Sequence, residues 1–252
     1  MSSPRPQLLA IEQLQHSFGG VRAVDNVSFA LDAGEVAALI GPNGAGKSTL
    51  FNLIDGQLVP QAGRVLFNGQ SLALCSTAER ARRGIGRTFQ VAQTFATMTA
   101  LQNVQLALVA AEGGAGWVRD RLWKLHIEAG HSLLGQVGLQ KLAQSSAATL
   151  AYGDVKRLEL ALALAARPRL LLMDEPTAGM TPDERFALMH LIVEVARQNT
   201  MTVLFTEHSM DVVFGFARRI LVLSRGRLIA DGAPDAVRAD AQVQRLYLGE
   251  AT

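Results

Sequence analysis

The sequence predicts an α/β fold: a core with a mostly parallel sheet, an antiparallel β subdomain near its N-terminus, and an inserted α-helical subdomain. Two observations carry this. Apolar strand-like runs alternate with helical periodicity in both outer parts of the chain, whereas residues 92–165 keep helical spacing and lose strand signals. In addition, the octapeptide Gly41-Pro42-Asn43-Gly44-Ala45-Gly46-Lys47-Ser48 stands between an apolar strand and a helix. Composition fits a globular chain: 252 residues, 49 % hydrophobic and 18 % charged, are enough to bury a full core. No apolar run approaches the roughly 18 uncharged residues of a membrane span, because the most apolar stretch, 158–173, contains Glu159, Arg167, Pro168 and Arg169. The first fifteen residues lack the apolar heart of a secretory signal. One cysteine, Cys75, excludes an internal disulfide and suits a reducing compartment. A formal net charge of +2 is too small to point to nucleic acid.

Taken in order, residues 8–14 and 27–31 read as short strands. Residues 35–40 read as a buried strand and 49–54 as the helix that follows the glycine-rich loop. Residues 63–69 alternate and close on Asn68-Gly69, a hairpin turn. Residues 77–83 have a helical look. Helical spacing recurs over 101–111, 122–137 and 155–166, with Gly113-Gly114-Ala115-Gly116 as a surface loop. Strands return at 170–174 and 202–206. Residues 220–224 and 227–231 pair as a hairpin across Arg225-Gly226, and 235–248 is helical. The chain is thus one domain, 1–252, with a core from 1–91 and 166–252 and a helical subdomain from 92–165.

The octapeptide fits G-x-x-x-x-G-K-[ST]. A loop between strand and helix aims its backbone N–H groups at one point, and the helix N-terminus adds partial positive charge there. Gly41, Gly44 and Gly46 let the backbone curl around an anion, with Pro42, Asn43 and Ala45 between them and Thr49 just beyond. Lys47 can reach outer phosphates, and the Ser48 hydroxyl can hold Mg²⁺. The expected ligand is a nucleoside triphosphate. The run 170–173 ends in Asp174-Glu175. Ionised carboxylates avoid apolar surroundings, so a buried strand ending in two of them needs a reason; Mg²⁺ supplies one, and an ordinary strand end reaching solvent is the alternative. Asp174 suits Mg²⁺ held through water, and Glu175 suits a base that orients and deprotonates an attacking water.

These motifs, with Leu150-Ala151-Tyr152-Gly153-Asp154 before the helix at 155, Gln90, Gly179-Met180-Thr181 and His208 after Thr206-Glu207, resemble the ATP-binding cassette (ABC) ATPases over nearly the whole chain. Within that family, His16-Ser17-Phe18-Gly19-Gly20-Val21-Arg22-Ala23-Val24, Gly86-Arg87-Thr88-Phe89-Gln90, Tyr152-Gly153 and the closing Arg245-Leu246-Tyr247-Leu248-Gly249 resemble the ATP-binding subunits of high-affinity branched-chain amino acid importers. Lipopolysaccharide-export ATPases share the last string, and an exporter or a soluble non-transport ABC ATPase is the alternative reading. The resemblance implies an ATP-hydrolysing motor at the cytoplasmic face of the inner membrane, using ATP and Mg²⁺. It implies a head-to-tail pair, favouring two unlike subunits, docked on transmembrane permease subunits, with an extracytoplasmic solute-binding protein as an indirect partner and no nucleic acid. It implies Phe18 against adenine with Val24 beside it, and Gln90 touching Mg²⁺ and sensing the γ-phosphate. Glu175 acts on water, His208 as the switch histidine and Gln90 complete the catalytic set, and residues 151–154 reach the partner's ATP. Phe89, Phe95 and Met98 are candidates for the permease contact. Ala151, Asp154 and Thr181 depart from the family pattern, where serine, glutamine and aspartate are usual. Those departures put in question how strongly this signature supports hydrolysis in the partner's site. Thr181 also fits a helix start, with Pro182 and Glu184 following.

Overall fold

The computed structural model describes residues 6–88, 94–113 and 126–248. Its first half runs β1 (Gln7–Phe18), β2 (Val21–Asp32), β3 (Val36–Ile40), α1 (Lys47–Asp55), β4 (Ala62–Phe67), β5 (Gln70–Ser71), α2 (Thr77–Arg82) and β6 (Ile85–Thr88). The helical middle holds α3 (Ala100–Ala111), α4 (Ile127–Gln136) and α5 (Tyr152–Ala165). Then come β7 (Leu170–Asp174), α6 (Pro182–Gln198), β8 (Thr202–Thr206), α7 (Met210–Phe216), β9 (Arg219–Ser224), β10 (Arg227–Gly232), α8 (Pro234–Ala239) and α9 (Ala241–Leu248).

The larger sheet has the order β10-β9-β3-β8-β7-β6 and is parallel except at β10, which turns back on β9. Its inner strands are continuous apolar runs because both faces are covered. Val36, Ala38 and Ile40 of β3 join one core cluster with Leu171, Met173, Val203, Phe205 and the helices α3 to α6. The alternate residues Ala37 and Leu39 join a second cluster with Leu170, Leu172, Leu204, α1 and the smaller sheet. That smaller sheet, β2-β1-β4-β5, is antiparallel throughout. In the helical middle, Gly130 lets α4 close on α3, since a Cβ there would come 2.7 Å from the Leu101 side chain.

Several elements differ from the sequence reading. Strands β1 and β2 each extend to twelve residues, because pairing carries the hairpin through polar positions that alternation alone does not mark. The short strand β6 pairs with β7, and a Cβ on Gly86 would meet Pro168 at 3.0 Å. Helix α5 starts at Tyr152, taking Gly153 and Asp154 into its first turn. The C-terminal helical run is broken at Asp240, whose carboxylate accepts the N–H groups of Gln242 and Val243 and so starts α9 afresh. Residues 114–125, which include most of the expected glycine loop and the start of the expected helix 122–137, lie outside the described residues.

Candidate active site

Between β3 and α1 the loop is held by contacts that admit no side chain at two positions. A Cβ on Gly41 would lie 2.2 Å from the Leu223 carbonyl oxygen, and one on Gly46 2.1 Å from that of Ala23. Gly46 also has φ +106°, which favours glycine. The Gly226 N–H donates to Ala45 O at 2.9 Å, so β9, β10 and β2 together fix the loop. No side chain caps α1, which leaves its first-turn N–H groups for an anion. Lys47 curls back: its Nζ donates to Gly41 O at 2.6 Å and Pro42 O at 3.2 Å. Burial lowers its pKa, while Glu175 and Asp174 pull the other way. Asn43, Gly44, Ala45, Gly46, Lys47, Ser48 and Thr49, with Ala23 and Glu175, line a cavity of about 320 Å³.

On the far side of this cavity, β7 and β8 end together. Thr206 Oγ1 donates to Asp174 Oδ1 at 2.7 Å. Arg87 Nη2 stands 3.5 Å from Asp174 Oδ2, so both carboxylate oxygens face a donor. The same guanidinium donates through Nη1 to Asn52 Oδ1 (2.6 Å) and Asp55 Oδ2 (2.5 Å), both on α1. Glu175 follows in a left-handed conformation, φ +48°, with its N–H 3.1 Å from both the backbone and the hydroxyl oxygen of Thr206. Such a backbone costs about 1–2 kcal/mol and needs anchors of this kind. Glu175 Oε1 lies 2.8 Å from His208 Nε2. Behind them the buried Glu207 takes the Thr177 hydroxyl (2.6 Å) and N–H (2.9 Å) on one oxygen and the His208 N–H (3.2 Å) on the other. The donor set facing the cavity is hydroxyl and carboxylate oxygen, which fits Mg²⁺.

The structure therefore brings together residues 43–49, Lys47, Asp174, Glu175 and His208. Phe18 is 52 % exposed at the end of β1, edge-on to His16 at 4.7 Å. Val24 is 1 % exposed in the core, and its neighbour Ala23 lines the cavity. The pairing of Val24 with His16 sets which face each side chain takes. Gln90 and Phe89 lie outside the described residues. Ala151, Tyr152, Gly153 and Asp154 form the start of α5, with Asp154 4.0 Å from Arg157. Thr181 starts α6, its N–H and hydroxyl 2.9 and 2.8 Å from Glu184 Oε2. Arg87, Thr177 and Glu207 were given no role from sequence. The available signal was at Glu207, a carboxylate directly after the buried strand β8, whereas Arg87 within β6 and Thr177 in the loop after β7 carried none.

A phosphate loop ending one strand, paired acids at the end of a second strand of the same sheet and a histidine closing on the second acid, in a core with a helical insertion, define an ABC-type ATPase. The chain belongs to the ABC transporter family, whose model matches residues 24–178. A second model, described as branched-chain amino acid ATP-binding cassette transporter, matches residues 227–252. Over the full length of both chains it is 37 % identical to the high-affinity branched-chain amino acid transport ATP-binding protein LivG of Escherichia coli K12, and 36 % identical to BraF, so described, of Pseudomonas aeruginosa. The lipopolysaccharide export system ATP-binding protein LptB of E. coli is 32 % identical over 96 % of this chain and 97 % of its own. Among solved structures, the ADP conformation of MJ1267, an ATP-binding cassette of an ABC transporter, superposes with a TM-score of 0.85 at 31 % identity, covering 97 % of this chain and 100 % of that one. The dimeric post-hydrolysis cassette MJ0796, bound to ADP and Pi, gives 0.75 at 25 % identity, covering 90 % and 99 %. The chain is an ATP-binding, ATP-hydrolysing subunit of an ABC transporter.

Proposed function

We propose that this ATPase drives uptake of branched-chain amino acids or related small polar solutes, working at the cytoplasmic face of the inner membrane as one of a head-to-tail pair. The names of LivG and BraF and the match over residues 227–252 support the solute class. The dimeric MJ0796 structure supports the pairing. A permease and, beyond it, a solute-binding protein complete the assembly; nucleic acid has no part in it.

The observation that carries the chemistry is the 2.8 Å contact of Glu175 with His208 at the edge of the phosphate cavity. The loop N–H groups and Lys47 hold the β- and γ-phosphates, and the ammonium exchanges the Gly41 and Pro42 carbonyls for phosphate oxygens. Ser48 and Asp174, with Gln90 on the strength of the resemblance, would hold Mg²⁺, which neutralises charge on the phosphate oxygens when bound. Glu175 accepts the proton of the attacking water, and His208 keeps the carboxylate aimed. The exposed Phe18 offers its ring to the base. Residues 151–154 face the partner's γ-phosphate with backbone N–H groups, Ala151 adding no hydroxyl and Asp154 adding negative charge.

We assign the core to 1–91 and 166–252 and the helical subdomain to 92–165. Where they meet, an apolar groove of about 390 Å³ is lined by Thr88, Phe95, Leu106, Glu159, Leu162 and Ala163. Phe95 is 55 % exposed there, which suits a docked permease helix. Among the described residues, no helix is long and apolar enough to cross a membrane. The likeness to LptB favours a lipopolysaccharide exporter as the second reading. Proteoliposomes of the chain with its co-purifying membrane proteins and solute-binding protein decide between them. ATP-dependent leucine uptake is expected. Failure to move any branched-chain amino acid, with lipid-export partners recovered instead, would overturn the importer reading.

A further inference from the structure

Tyr152 opens α5 and is half exposed, yet it is fastened at its tip. Its hydroxyl donates to the Ala178 carbonyl at 2.9 Å. Its ring edge covers Gly179, where a Cβ would sit 3.5 Å from the hydroxyl oxygen. The next residue, Gly153, faces Met180, with a Cβ position 3.6 Å from the methionine methyl. Lys156, one turn along α5, holds its Nζ 5.6 Å from the centre of the Tyr152 ring. The helix start thus rests on residues 178–180.

Those residues are the far end of the loop that begins at Glu175. Ala178 N–H donates to Glu175 O at 3.1 Å and Met180 N–H to Thr177 O at 3.2 Å, which winds 175–180 into one tight turn. Thr177 is locked to Glu207, and Glu207 holds the backbone of His208. A continuous series of short contacts therefore runs from the Glu175–His208 pair to the Tyr152 hydroxyl. A shift of Glu175 as water attacks the γ-phosphate, or as phosphate leaves, would be passed through these contacts to the Ala178 carbonyl and the Tyr152 hydroxyl.

We infer that Tyr152 is a positioning residue that ties this chain's own catalytic loop to the helix start it offers to its partner's ATP, so that the state of one ATP site is felt at the other. This rests on the paired-subunit reading above. Phenylalanine at 152 keeps the ring and its packing and removes one neutral hydrogen bond. The released Ala178 carbonyl can turn to water because the site is half exposed, so the fold loses little.

The test is ATP hydrolysis against ATP concentration by wild type and Tyr152→Phe, each assayed alone and with the unlike cassette subunit that co-purifies with it, with melting temperature and ATP-driven pairing measured alongside, the latter by light scattering in a Glu175→Gln background. The wild type is expected to show a Hill coefficient above one. In Tyr152→Phe the coefficient should fall to about one and kcat by about three- to tenfold, the worth of one such bond. Melting should stay within about 2 °C and pairing within about twofold. Wild-type cooperativity and kcat in Tyr152→Phe would overturn the inference while leaving the pairing intact. A parallel loss of stability and pairing would also overturn it, since Tyr152 would then only support the fold. A wild-type chain that hydrolyses ATP without pairing would overturn the paired-subunit reading and this inference with it.

Discussion

Replacing Arg87 with glutamine should damage the fold more than any other single charge removal near the cavity. Arg87 and Asp55 form an ion pair at 2.5 Å with side chains only 10 % and 6 % exposed. Removing one member of a buried pair strands the other and costs about 3–5 kcal/mol. Asp55 keeps two other donors, the N–H and side-chain amide of Gln57 at 3.0 and 2.9 Å, so the lower figure applies. For a chain of this size about 3 kcal/mol corresponds to a melting temperature lower by about 6–12 °C. The loss reaches the active site too, because the same guanidinium faces Asp174 at 3.5 Å on the oxygen that Thr206 does not reach. Urea unfolding of Arg87→Gln measures the cost. The double variant Arg87→Gln/Asp55→Asn removes the stranded charge and should recover at least half of it. A single-variant loss under about 1 kcal/mol, or a double variant no more stable than the single, would refute the reasoning.

Two further outcomes follow from other parts of the structure. Gly46→Ala combines a φ of +106° with a Cβ 2.1 Å from a backbone oxygen, so the phosphate loop must open, and ATP affinity should fall by at least about tenfold; a fluorescent ATP analogue bound as tightly as by wild type would contradict this. Glu159 has its pKa raised by burial, against the pull of Lys156. A carboxyl that binds its proton more readily when folded stabilises the fold below its ordinary pKa and loses that contribution as pH rises through the raised one. Glu159→Gln should therefore flatten the dependence of unfolding free energy on pH just above the ordinary glutamate range, and an unchanged slope there would count against the buried carboxyl.

The parallel core was legible because strands buried on both faces need no phase: 36–40 and 170–173 are apolar throughout, and 202–206 adds only threonine at its two ends. The phosphate loop was legible because its glycines answer a local demand that few residues meet. Val24 was placed by resemblance alone, and only the register with His16 says which face of β2 it takes. Strand β6 was hidden because four residues with a central glycine and arginine carry no periodic signal. Arg87 was seen as part of a string but not as the link from α1 to Asp174, since that contact joins residues 32 and more positions apart. The Tyr152 tether was hidden for the same reason, its two ends being 26 positions apart.

Hydrolysis turns on Glu175 as the group that activates water. Glu175→Gln keeps the shape of the side chain and its place beside His208 and removes the charge that takes up a proton. Single-turnover hydrolysis of bound ATP measures this most directly, with affinity determined on the same protein. Affinity is expected within about threefold of wild type and turnover lower by about 10²-fold or more, the worth of a lost general base. Turnover near the wild-type rate at intact affinity would contradict it.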